Sequence, residues 1–262
     1  MPQANDFDGG HIRPFPTERR GPNAVRPDCD AQLAEGAQAQ RELERFVSLR
    51  MRGDRIGCRD LVREWLNDGH SAVEVLEQLL WPACSVLDGW ARRDQISAVH
   101  QHCATVLLSQ LVQRIEAALP RRASRCRPVL VASGQSPLEE LAAEMFVGLA
   151  EADGFDVVFL GGGVESDDLF EEIGQRKPAF VISYAGAGSD AARLRRLLKS
   201  LQEQRPVPGL RVGAGGGVFS RAPGLAEELG VDFSGDSPFD LLEALRRDSE
   251  APQGRQRGSR AA

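Results

Sequence analysis

From residue 128 onward the chain alternates short apolar runs with helical stretches, and the runs end in glycine or other small residues. Residues 129–132 lead into Ser133, Gly134 and Ser136. Residues 179–183 lead into Tyr184, Gly186 and Gly188, and residues 210–212 into Gly213, Gly215, Gly216 and Gly217. Strands that alternate with helices of ten or more residues pair in parallel, because each helix carries the chain back to the same end of the sheet. The pattern predicts strands at 129–132, 156–160, 179–183, 210–213 and near 231–233. Helices are expected at about 138–152, 167–176, 190–203, 221–229 and 238–246. Ser166, Ser189 and Ser237 are the expected N-caps, and Pro238 sits at a first helical position where its missing N–H is harmless. Five such units make an α/β fold: a five-stranded parallel, flavodoxin-like (Rossmann-like) sheet with helices on both faces. In such sheets ligands settle at the carboxyl ends of the strands. Small residues there let a large ligand approach the backbone.

The preceding half has a different period. Leu43, Phe46, Val47 and Met51 form one helical stripe, and Ile56, Leu61, Val62, Trp65 and Leu66 a second. Ser71 caps a third helix carrying Val73, Leu76, Leu79, Leu80, Cys84 and Leu87, with a kink expected at Pro82. Ser97 caps a fourth, with Val99, Cys103, Val106, Leu107, Leu111 and Ile115. Short connections between four helices imply an antiparallel bundle over 38–122, joined through Arg121–Pro128 to an α/β domain over 128–247. Residues 1–37 and 248–262 are rich in Pro, Gly and charge, without apolar period, and are expected to be a disordered arm and tail.

Composition narrows the function classes. A formal charge of −6 speaks against direct nucleic-acid binding, which needs a basic face. The pairs Arg121-Arg122 and Arg195-Arg196 read as solvated helix ends. Five scattered cysteines without a C-x-x-C pair suit a reducing cytoplasm better than a disulfide framework or a zinc site. No signal-like or membrane-spanning apolar run is present, so a cytoplasmic protein without a membrane partner is expected. The glycines at 213–217 follow the fourth strand, whereas a dinucleotide fingerprint belongs after the first. The third strand ends in Ser and Tyr, which does not fit a receiver domain's phosphoacceptor. Glu139-Glu140 and Asp167-Asp168 fall in first helical turns, where they complement the helix dipole. No nucleophile–base pair is visible in the α/β half, so a binding module and not an enzyme is expected.

Taken in order, these pieces resemble the cobalamin-binding module of corrinoid methyltransferases and of light-sensing MerR-type regulators, over about residues 40–247. Trp81-Pro82-Ala83, Asp88-Gly89-Trp90 and Gln101-His102 are similar to the family's cap pattern. Residues 154–161 resemble its second strand. Ser183 stands where a serine contacts the nucleotide tail of the cofactor, and Gly215-Gly216 where the tail's glycine pair lies. The family's first loop carries Asp-x-His-x-x-Gly, whose histidine ligates cobalt from below; here Pro137, Glu139 and Ala142 stand at those three positions. Glutamate is a hard oxygen donor and a poor substitute for imidazole on cobalt. All four histidines (His11, His70, His100 and His102) precede residue 128. The resemblance therefore implies cobalamin bound without a histidine below. Its site would be Trp90, His102, Ser133, Gly134, Ser136, Glu139, Ser183, Tyr184, Gly186, Gly213, Gly215, Gly216 and Gly217. His102 reads either as a packed core histidine or as a group facing the ligand's upper face, with cobalt within its reach. The leading reading is a cobalamin or related tetrapyrrole sensor, or photoreceptor, signalling through cap rearrangement, self-association or a protein partner. Its rivals are a corrinoid methyl carrier, a haem or bilin (biliverdin) sensor, and a degenerate interaction module.

Overall fold

The computed structural model describes residues 29–250 except Cys126. The arm up to residue 28 and the tail from 251 lie outside the described residues. The first helix, α1 (Cys29–Met51), begins inside the segment expected to be an arm. It is followed by α2 (Arg55–Asn67), then by α3 (Ala72–Val75), which passes through a π turn at Leu76–Leu80 into α4 (Trp81–Arg92). α5 (Ala98–Glu116) completes the four-helix cap. Ser71 and Ser97 cap as expected: Ser71 forms a capping box with Glu74, and Ser97 accepts from the His100 N–H. The disturbance expected at Pro82 takes the form of the π turn. Proline offers no N–H and its ring crowds the carbonyl four residues back, so the helix widens just before it.

The α/β half runs β1 (Pro128–Ser133), α6 (Pro137–Ala152), β2 (Asp156–Gly162), α7 (Ser166–Arg176), β3 (Phe180–Tyr184), α8 (Gly188–Gln204), β4 (Arg211–Gly215), α9 (Gly217–Arg221), α10 (Leu225–Leu229), β5 (Phe233–Gly235) and α11 (Pro238–Glu250). All strands are parallel, in the order β2-β1-β3-β4-β5. The expected single helix at 221–229 is two short ones, broken near Pro223-Gly224, where Gly224 adopts φ 87°. Ser237 caps α11 by accepting from the Asp240 N–H. Ser166 and Ser189 do not cap. The Ser166 hydroxyl instead donates to the Arg193 carbonyl. The α8 terminus is held by Asp190, which accepts from the N–H groups of Gly186 and Ala187.

Side chains alternate between two cores. Leu130, Val181 and Val212 face α7 and α8, while Val129, Val131, Phe180 and Ile182 face α6 and α11. This second core continues without a break into the cap, through Phe146, Leu108, Leu80 and Phe46. The cap thus rests on α6. Ser109 on α5 donates to Glu144 on α6 at 2.9 Å, and Glu116, seven residues on, packs over Gly148. Both numbers rise together, so α5 and α6 run parallel. The linker is stitched to the foot of α6: the N–H groups of Arg122 and Arg125 donate to the Ala152 and Gly154 carbonyls, each at 2.7 Å.

Two expected stripes are corrected. α2 buries Cys58, Leu61, Val62 and Trp65 but leaves Ile56 and Leu66 exposed. α5 buries Ala104, Leu107, Leu108, Leu111, Val112 and Ile115, while Val99 (71% exposed), His102, Cys103 and Val106 stay in solvent. No residue of α5 before Ala104 is buried, so the start of the helix stands clear of the bundle.

Candidate site at the strand ends

The carboxyl ends of β1, β3 and β4 are laced together: Gly134 N–H donates to the Tyr184 carbonyl, Ala185 N–H to Gly215, and Val218 N–H to Ala185. This lacing satisfies the backbone that a gap between loops would leave unpaired. Around it lie the glycines, and the group lying among them is Glu139.

Glu139 sits in the first turn of α6 and is buried. One carboxylate oxygen accepts from the Gly217 N–H at 3.0 Å. A Cβ at Gly186 would collide with the Glu139 side chain, and one at Gly216 would lie 2.6 Å from its other carboxylate oxygen. Gly216 also has φ +105°, a left-handed conformation that only glycine adopts without strain. Burial pushes the Glu139 carboxyl above its usual range, aided by Asp190. The Gly217 bond and the charges of Arg221 and Arg92 pull the other way. Arg221 donates to the Gly186 carbonyl. Arg92 closes α4, so the end of that cap helix faces this carboxylate.

The close approach expected of a ligand at Gly213 and Gly215 is taken by the protein itself. A Cβ at Gly213 would meet the Phe233 ring and Ile182, and one at Gly215 would meet Leu241 at 2.9 Å and the Tyr184 ring at 3.2 Å. Tyr184 is fully buried against Phe146, with ring centroids 6.0 Å apart. Its hydroxyl has no hydrogen-bond partner, and burial raises it well above the ordinary phenol range. The Ser133 hydroxyl is likewise buried and unpaired. Ser133, Gly134 and Ser183 line a small cleft of about 30 Å³ with Ser166, Asp190 and Arg193, room for a water or two. Ser136 precedes α6 without a capping bond from its side chain.

His102 is exposed, which removes the core reading. On a helix of 3.6 residues per turn, His102 shares a face with Ser109 and Gln113, the residues that meet Glu144 of α6. Seven residues before Ser109 on a helix that runs parallel to α6, it lies toward the start of α6. Trp90 is half-buried at the end of α4 and packs against the core. The structure therefore gathers Glu139, Gly186, Gly216 and Gly217 into one floor, with Arg92 at the end of α4 facing it. Gly213, Gly215 and Tyr184 lie beneath, in the core. Arg92, Arg221 and Asp190 escaped the sequence reading because an arginine or aspartate at a helix end looks like a solvated cap. Only the fold brings their charges near Glu139.

Among the described residues, no cluster of three or more His, Cys, Asp or Glu side chains is placed to hold a metal ion, and no helix is long and apolar enough to cross a membrane.

The family model of the B12 binding domain matches residues 127–243, which bears out the resemblance to a cobalamin-binding module. The chain is similar in fold to the monomethylamine corrinoid protein of Methanosarcina barkeri. That match has a TM-score of 0.69 and 14% identity, and covers 80% of this chain and 99% of that one. A cobalamin-binding protein from Desulfitobacterium hafniense DCB-2 aligns over 78% of this chain and 97% of its own, with 17% identity and a TM-score of 0.43. The methanol:cobalamin methyltransferase complex of Methanosarcina barkeri aligns over 81% of both chains, with 11% identity and a TM-score of 0.44. No curated protein matches the sequence.

Proposed function

With its α/β half matching a B12 binding domain, we propose that this chain binds a corrinoid between the strand ends and the α4–α5 edge of the cap, and serves as a corrinoid carrier for a separate protein partner. The observation that carries this reading is the match over residues 127–243, on a sheet whose glycine-rich strand ends surround Glu139. The fold shared with a corrinoid protein of nearly the same extent favours a carrier over the sensor expected from sequence. Cobalamin is preferred to haem or a bilin because the matched family is a B12 domain.

The cobalt chemistry belongs to the cofactor when bound; the chain's own contribution is placement and water exclusion. In this reading the glycine floor and Arg221 bear the lower side of the macrocycle. Trp90 contributes an apolar wall and His102 a donor or ligand at the upper side. The partner reaches the cofactor along the exposed start of α5.

The test is a titration with hydroxocobalamin followed by absorbance. Gly188 is exposed at this edge, with no atom within 4 Å of the place a Cβ would take. Gly188→Trp adds bulk to the footprint at an exposed position whose Cβ meets no neighbour. The wild-type chain should bind one corrinoid and the variant should lose binding at unchanged circular dichroism. Equal affinity in both would place the ligand elsewhere.

A further inference from the structure

We propose that Glu139 and Tyr184 are internal plugs that keep the nucleotide tail of a corrinoid out of the sheet, so that this chain holds corrinoids whose base remains on the cobalt. The inference rests on the corrinoid-binding reading and concerns which form is held. It also departs from what the family resemblance implies, a tail lodged by Ser183 and the glycine pair.

Three observations converge. The glycines that would admit a tail already have occupants: Tyr184 and Leu241 lie on Gly215, and Glu139 lies on Gly186, Gly216 and Gly217. Inserting an aromatic base would require displacing the fully buried Tyr184 ring from Phe146. The cavity on the opposite side of the sheet, beside Ser133 and Ser183, holds about 30 Å³, far too little for a benzimidazole.

Second, among the described residues the α/β half offers no imidazole. His70 lies against Trp65 with ring centroids 4.5 Å apart, His100 is bonded to Ser97, and His102 is on the cap side. A cofactor that released its own base would gain no nitrogen ligand from the α/β half, which contains no histidine. Third, Glu139 is not free to replace it. Its carboxylate caps the Gly217 N–H and faces Arg221 and Arg92. Turning to the metal would strand a backbone donor, for a hard oxygen ligand that suits cobalt poorly.

The experiment compares cobalamin with cobinamide, which lacks the nucleotide tail, on the full chain, and records electron paramagnetic resonance of bound Co(II) cobalamin. Both corrinoids should bind with affinities within about tenfold of each other. The axial nitrogen splitting should change when the cofactor's base carries nitrogen-15 and stay unchanged when protein histidine does. The double variant Glu139→His with Tyr184→Gly should transfer sensitivity to the protein label, and near-ultraviolet circular dichroism shows whether it has folded. A wild-type splitting that follows the histidine label, a base-off spectrum, or a much stronger preference for cobalamin would overturn the inference. Binding of neither corrinoid would remove the functional reading, and this inference with it.

Discussion

Glu116 places a carboxyl in the seam between cap and sheet. It packs over Gly148, one carboxylate oxygen is buried without a partner, and Glu144 and Glu151 add like charge. Burial, followed by those two neighbours, pushes it from 4.5 to about 7. The folded chain therefore holds this proton across a range in which the unfolded chain has released it, so stability falls as pH rises from about 4.5 to about 7. Fully realised, the shift is worth about 3 kcal/mol; with part of the side chain in water we expect about 1–2 kcal/mol. Glu116→Gln removes the titration while keeping the volume. In urea unfolding at pH 5 and pH 8, the wild type should lose about 1–2 kcal/mol more than the variant between those two pH values. Parallel pH profiles for the two proteins would refute the reasoning.

Asp153, 2% exposed, binds Arg122 at 2.8 Å, Arg125 at 2.9 Å and Arg246 at 2.8 Å, tying the linker and α11 to the foot of α6. Asp153→Ala should cost about 1–3 kcal/mol in chemical denaturation, since it removes three charge-assisted contacts while leaving arginines that can reach water; a loss below about 0.5 kcal/mol would show the hub to be passive. His102→Ala should change stability by no more than about 0.5 kcal/mol, as expected of an exposed side chain, while shifting the spectrum of a bound corrinoid. A clear drop in melting temperature with an unshifted spectrum would take His102 out of the site.

The order of strands and helices was legible because each strand is bounded by small residues and each helix keeps its period. β1 and β3 differ from expectation by a residue at either end. The caps at Ser166 and Ser189 were not legible, since a serine before a helical run looks the same whether its hydroxyl turns to its own helix or, as for Ser166, to a neighbour's carbonyl. Nor was the exposure of Val99 and Val106. A helical stripe says which face is apolar, but only the arrangement of the bundle says where burial stops. The glycine-rich strand ends were read as a place where a ligand approaches the backbone. What approaches Gly213 and Gly215 is the chain's own Phe233, Tyr184 and Leu241, and no local pattern distinguishes an internal side chain from a ligand.

Hydrogen–deuterium exchange with and without hydroxocobalamin tests the placement of the site most directly. The account predicts slowed exchange in peptides covering 133–140, 183–190 and 213–221, together with 90–106 of the cap, and unchanged exchange along α7 and α10. Protection confined to other segments, or none at saturating corrinoid, would contradict a site between the strand ends and the cap.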